Sequence, residues 1–249
     1  MRSDEYQNMF QHEENYWWYR SHREAVLNII GELLSKNKSL SFLLDGGCGT
    51  GGMLKILSDK LPSLHLIGLD TAQEALLYCK ERGIHRLIQG SLVNLPFADS
   101  TFDLVISLDV LYHKSIDDDV LPCREIHRVL KPGGYVILHL PALEFLRGSH
   151  DIVVYSKRRY SRIALCNKMQ ELGFKVERCT YRYIFLFPVL FLWRTVNRWF
   201  MKGVKKSDLR DVPLWLSNIL FSISHCENKM LKYFDLPFGS SLFCICKKL

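Results

Sequence analysis

The chain has 249 residues, 48% apolar and 24% charged, with a formal net charge of +7. These values exclude a disordered tail, a coiled coil and a collagen-like rod, and the length sits at the upper end of what one core organises. The eight cysteines include no Cys-x-x-Cys pair, which argues for reduced thiols over a zinc site or a disulfide framework. No stretch reaches the roughly 20 apolar residues of a membrane-spanning helix. The polar start, Met1-Arg2-Ser3-Asp4-Glu5, has no apolar signal core, so a cytoplasmic protein is expected.

Strand-like and helix-like patterns alternate through the first 175 residues, as in a parallel sheet covered by helices. After aromatic residues at 16–19, a helical pattern runs to about Leu34 and ends in Ser35-Lys36-Asn37-Lys38. Residues 41–45 form a short buried strand stopped by glycines, and a helix follows through 53–57. The second strand is 64–70. Thr71-Ala72-Gln73-Glu74 then reads as a capping box, and the helix it opens stops at Gly83. Strands at 86–89 and 102–108 precede a helix at 120–130, where Lys131-Pro132-Gly133-Gly134 forces a turn. A fifth strand takes 135–140, a helix 161–172 and a sixth strand 174–182.

The remainder changes character. Residues 183–193 are an apolar run interrupted by Pro188 and followed by Arg194, Arg198, Lys202, Lys205 and Lys206. A cap over the acceptor pocket is favoured for this run; peripheral membrane contact through 183–206 and a dimer surface are the alternatives. A last strand lies at 242–246.

The sharpest signal is Asp45-Gly46-Gly47-Cys48-Gly49-Thr50-Gly51-Gly52 between a strand and a helix, with Asp70 closing the next strand. Glycines there let a ligand lie against bare backbone. A dinucleotide would place its pyrophosphate at the helix start, where Asp45 opposes it. S-adenosylmethionine has no phosphate. Its ammonium suits Asp45, its carboxylate suits backbone N–H groups, and Asp70 can accept from the ribose hydroxyls of either ligand.

This loop, Asp70, Leu95-Pro96-Phe97-Ala98-Asp99-Ser100-Thr101-Phe102-Asp103 and Val129-Leu130-Lys131-Pro132-Gly133-Gly134 resemble class I S-adenosylmethionine-dependent methyltransferases, in that family's order. The resemblance implies a doubly wound α/β fold. Its seven-stranded, mostly parallel sheet has an antiparallel last strand inserted between strands five and six. It divides one domain, 1–249, into an N-terminal helical lid (1–38), a cofactor-binding core (40–183), a C-terminal helical insertion (184–238) and the last strand (239–249). It assigns Gly46, Gly47, Gly49 and Gly51 to the methionine part of the cofactor and Asp70 with Thr71 to the ribose. Ser91, in place of the family's frequent carboxylate, and the backbone of Leu92 go to the adenine, and Leu108 to the cofactor wall. In a subset of the family the N-terminal helix covers the cofactor, which gives Trp18 to the adenosine and Arg20 or Arg23 to its carboxylate. Trp17 and Trp18 read equally well as anchors of the first helix.

Acceptor chemistry is expected just after strands four and five, at the carboxyl ends of the strands. His113 is the first candidate for a base or substrate contact, beside Tyr112, where relatives frequently carry an acid. His150 beside Asp151 is the second. Lys157-Arg158-Arg159-Tyr160-Ser161-Arg162 offers Arg158, Arg159 and Tyr160 to an anionic substrate. The expected activity is methyl transfer to oxygen or nitrogen of a small-molecule or lipid- or sugar-linked acceptor, without a metal. No aromatic and basic pattern resembles an RNA-binding module, so the expected acceptor is not a nucleic acid. The rivals are an NAD-dependent oxidoreductase and a catalytically silent binding or membrane-adaptor module.

Overall fold

The computed structural model describes residues 3–200 and 212–249. Lys202, Lys205 and Lys206, singled out above, lie outside the described residues, as does part of the 183–206 segment. Seven strands form one sheet: β1 (Phe42–Gly46), β2 (His65–Asp70), β3 (Leu87–Gln89), β4 (Phe102–Leu108), β5 (Leu130–Pro141), β6 (Phe174–Arg182) and β7 (Ser241–Lys248). Their order is β3-β2-β1-β4-β5-β7-β6, and β7 runs antiparallel to both neighbours, as the resemblance implies.

The helices are α1 (Ser3–His12), α2 (Trp17–Lys36), α3 (Gly52–Lys60), α4 (Gln73–Glu81), α5 (Val120–Val129), α6 (Ser149–Val153), α7 (Arg162–Glu171), α8 (Phe187–Phe200) and α9 (Leu214–Met230). Because successive strand side chains point to opposite faces, continuous apolar strands feed two cores. Leu43, Leu104, Ile106, Ile137 and Phe243 meet Val26 and Ile30 of α2 and Met53 and Leu57 of α3. Leu44, Val105, Val136, Leu138 and Cys244 meet Cys123 and Ile126 of α5 and Leu165 and Met169 of α7.

Two local expectations fail. The capping box does not form: Ala72 is the N-cap of α4, and the Asp70 carboxylate takes the Ala72 N–H at 2.9 Å. The helix starts one residue later than the motif implies, which takes Thr71 out of the N-cap position. The turn at 131–134 is a bulge inside β5, because pairing with β4 jumps from Phe102↔Leu130 to Leu104↔Tyr135. Gly133, at φ 78°, absorbs the extra residues.

A buried polar hub joins the late helices to the sheet. Arg182 at the end of β6 is fully buried and donates to Ser21 Oγ of α2 at 3.0 Å and to Asn228 Oδ1 of α9 at 2.5 Å. Glu227 stands 3.9 Å from that guanidinium and accepts the backbone N–H groups of Tyr183 and Ile184. This arrangement fixes where the chain leaves the sheet for α8 and where α9 returns.

Candidate functional site

A cavity of about 1240 Å³ opens at the carboxyl ends of β1, β2, β4 and β5. Its walls come from the glycine loop, the N-terminal helices α1 and α2, the turn after β4, the segment around α6, and helices α8 and α9. Asp45, Gly47, Gly49, Asp70, Thr71, Ser91, Leu92, Leu108, Trp18 and Arg23 all line it. Gly46, Gly51 and Arg20 do not. Gly46 faces Leu92 and Gly51 faces Cys79, whereas Arg20 stacks on Phe221 at 4.0 Å and donates to Asn218 Oδ1 of α9.

The glycine loop is fixed by backbone pairing. The N–H groups of Gly47 and Cys48 both donate to Leu69 O, at 2.7 and 3.0 Å, and Gly49 N–H donates to Asp70 Oδ2 at 2.9 Å. Gly47 has φ 89°, and a Cβ there would stand 2.3 Å from Val110 Cγ2, so glycine is required twice over. Asp45 is 2% exposed, and among the described residues no cation pairs with it. Burial, then the carboxylates of Asp70 and Glu13, push its pKa up to about 8.

The start of α3, where a dinucleotide would rest its pyrophosphate, is already occupied by an acid. Glu13, between α1 and α2, reaches down to accept from Thr50 Oγ1 at 2.5 Å. Arg82 clamps the contact, donating to Thr50 O at 3.0 Å and Phe10 O at 3.1 Å while pairing with Glu14 at 2.8 Å. A second anion at that helix end would meet a buried carboxylate. Arg23 donates to the carbonyls of Glu13 and Glu14, so it staples the same N-terminal segment. Sequence reasoning missed Glu13 because the contact spans 37 residues.

On the acceptor side, Tyr112, His113, His150 and Arg159 line the cavity. His113 Nδ1 is 2.8 Å from Ser115 Oγ, its Nε2 is buried without a hydrogen-bond partner among the described residues, and burial lowers its pKa. Asp151, next to His150, is shared among several other groups. It accepts from Arg159 Nε at 2.8 Å, from Gly148 N–H at 2.8 Å and from Arg194 at 3.3 Å. Arg158 and Arg159, expected to meet an anionic substrate, both pair with acids of the protein. Arg159 is held by Asp151 and Ala142 O, whereas Arg158 lies outside the cavity wall on Asp119 and the carbonyls of Ile116 and Asp117. Tyr160 is buried away from the cavity, its hydroxyl bonded to Asp119 Oδ2 at 2.8 Å and to Leu111 O. Arg158 and Arg159 are thus paired with acids of neighbouring segments, Asp119 and Asp151.

The structure adds a buried cluster that residue order alone did not assemble. Asp109, just after β4, has φ 60°, and its carboxylate lies 2.8 Å from His139 Nδ1 of β5 and 3.8 Å from His22 Nδ1 of α2. Asp109 and His139 stand in the strand-end segments flagged above; His22 gave no signal.

The sheet order, the loop and the acids around it define a class I S-adenosylmethionine-dependent methyltransferase domain, a domain type whose cofactor is S-adenosylmethionine. Residues 44–138 match a family described as a methyltransferase domain. The chain is 34% identical over 116 residues to a probable tRNA methyltransferase 9B of Homo sapiens, covering 46% of this chain and 24% of that protein. It is 33% identical over 127 residues to a tRNA (carboxymethyluridine(34)-5-O)-methyltransferase of Arabidopsis thaliana, covering 51% and 30%. The chain thus spans between a quarter and a third of the length of these two relatives. A Thermotoga maritima S-adenosylmethionine-dependent methyltransferase, described as a possible histamine N-methyltransferase, shares the fold at TM-score 0.60 and 17% identity, over 99% and 96% of the two chains. The expectation of an acceptor other than a nucleic acid is overturned, since two of these relatives are tRNA methyltransferases. The oxidoreductase and silent-module alternatives find no support. No helix among the described residues is long and apolar enough to cross a membrane.

Proposed function

We propose that this chain transfers the sulfonium methyl of S-adenosylmethionine to a group carried on an RNA nucleotide that enters the cavity. One observation carries the donor half of this reading: Asp45, buried, acidic and without a cationic partner among the described residues, stands beside the glycine loop on the cavity wall. Asp45 takes the ammonium, Asp70 and Thr71 the ribose, Ser91 and the Leu92 backbone the adenine, and Leu108 and Trp18 pack on the cofactor. The whole chain acts as one domain, with 1–38 as its lid, 40–183 as its core, and 184–238 as an insertion that roofs the acceptor side before the last strand.

The acceptor half is supported by the tRNA methyltransferase relatives and by the cavity's aromatic rim. Tyr16, Trp17, Tyr19 and Trp193 offer faces for an unstacked base. The net charge of +7 favours a polyanion at encounter. Methyl transfer is an in-line displacement at an activated sulfonium, so alignment and exclusion of water supply most of the acceleration, up to roughly 7–11 kcal/mol. His113 holds or deprotonates the acceptor where it is a hydroxyl; a carboxylate acceptor needs no base.

The test is incubation of the purified chain and labelled S-adenosylmethionine with total RNA and, separately, with an RNA-free cell extract. Label made acid-soluble by ribonuclease is expected. Label in the RNA-free extract alone would overturn the RNA acceptor while leaving methyl transfer intact. No label in either, with no thermal stabilisation by S-adenosylhomocysteine, would overturn the donor assignment too.

A further inference from the structure

The cluster on the cavity floor has a donor set that methyl transfer itself does not require. His22 comes from α2, Asp109 from the turn after β4 and His139 from within β5, and one ligand atom of each lies within 4.8 Å of the other two. The Asp109 oxygen stands 2.8 Å from His139 Nδ1 and 3.8 Å from His22 Nδ1. Those separations straddle the spacing of about 3.3 Å between neighbouring ligands of a tetrahedral ion with bonds of roughly 2.0–2.1 Å.

Two independent features distinguish this cluster from ordinary packing. First, Asp109 is a non-glycine residue at φ 60°, and its N–H is tied to His139 O at 2.9 Å. The fold thus holds a strained backbone that directs this carboxylate at the two rings. Second, His22 and His139 are 5% and 0% exposed, their rings lie 4.1 Å apart, and Nε2 of each is buried without a hydrogen-bond partner among the described residues. Apolar side chains would fill that space without leaving orphaned polar atoms. Without an ion the 2.8 Å contact is a hydrogen bond donated by His139 Nδ1–H to the Asp109 carboxylate; an ion would displace that proton, and Nε2 of each ring, free of partners among the described residues, can carry the ring proton instead.

We propose that His22, Asp109 and His139 bind one divalent transition-metal ion of the zinc class. Two imidazoles and one carboxylate suit such an ion better than magnesium or calcium, which take oxygen ligands. His22 and Asp109 line the cavity, so a further coordination position opens towards the acceptor. The Arg182 cation packs on Phe243 at 5.1 Å, the same ring that His139 meets at 4.8 Å, and Glu227 at 3.9 Å offsets its charge. Metal binding stands independently of the methyl-transfer reading; only a Lewis-acid role toward the acceptor rests on it.

The test uses the full-length, metal-stripped chain, titrated with zinc sulfate by calorimetry and with cobalt(II) chloride by absorption. A single equivalent of zinc is expected, with visible cobalt bands of low-symmetry nitrogen and oxygen coordination. His22→Ala, Asp109→Asn and His139→Ala should each weaken zinc binding by at least about 10-fold while near-ultraviolet dichroism stays native. No zinc uptake by the wild type would overturn the proposal, as would folded variants that bind zinc like the wild type. So would a thiolate-to-cobalt band, which would move the ion to cysteines such as the Cys244 and Cys246 pair, 3.4 Å apart. Should a variant fail to fold, the wild-type cobalt spectrum still decides. A parallel thermal shift with S-adenosylhomocysteine reports on the donor site alone.

Discussion

Replacing Asp45 by asparagine should stabilise the unliganded protein and abolish cofactor binding together. The folded protein holds this carboxyl at a pKa of about 8 against an ordinary 3.8, chiefly through burial. Between those values the folded chain binds a proton that the unfolded chain releases, so wild-type stability falls as pH rises and levels off above about 8. Each pH unit in that window costs about 1.4 kcal/mol, which sets an upper bound of about 4 kcal/mol at pH 7. The amide has nearly the same shape and no charge, so it escapes this cost. At roughly 2–4 °C per kcal/mol for a chain of this size, a Tm increase of several degrees at pH 7 is expected. Scanning fluorimetry of both proteins from pH 6 to 8 reads the effect, and the gap should widen with pH. Isothermal titration with S-adenosylhomocysteine should show wild-type affinity increasing about 10-fold from pH 6 to 7 as Asp45 becomes easier to ionise, with no binding by Asp45→Asn. A variant of lower Tm that still binds the cofactor product would refute the electrostatic reasoning.

Three further outcomes follow from the geometry. Arg182→Met leaves Glu227 buried without its cation and should cost about 3–5 kcal/mol in urea unfolding, more than the Arg182→Met, Glu227→Gln double variant. Glu13→Ala removes the buried acceptor of the Thr50 hydroxyl and the Arg82 partner; amide exchange should accelerate across residues 3–16 with little change in the β4 and β5 amides. Tyr160→Phe loses the bonds to Asp119 and Leu111, costing about 1–2 kcal/mol of stability, and should leave the KM for acceptor unchanged because Tyr160 does not line the cavity.

The sheet was legible because its signals are local and periodic. β4 and β6 occupy the residues the sequence pattern marks, 102–108 and 174–182, and the glycine loop announces itself by residues that only a positive φ and a close backbone approach require. Asp45 was legible for the same reason, being fixed to the end of β1 by one residue's spacing. The capping box at Thr71 was misread because a motif does not fix the residue at which the helix starts, and α4 begins with Ala72 as its N-cap.

The acceptor side was not legible in this way. Arg158, Arg159 and Tyr160 look like an anion grip in one dimension, yet acids contributed from 8 to 41 residues away neutralise or bury them. Glu13 over α3 and the triad of His22, Asp109 and His139 likewise depend on chain segments that meet only after the sheet has formed. Sequence alone determined the strands, the layers and the glycine loop, since backbone conformation and apolar periodicity are properties of short segments; the strand order came from the family resemblance. Tertiary structure alone decided which charges face the cavity and which face each other, because a side chain's electrostatic partner is set by distance in space.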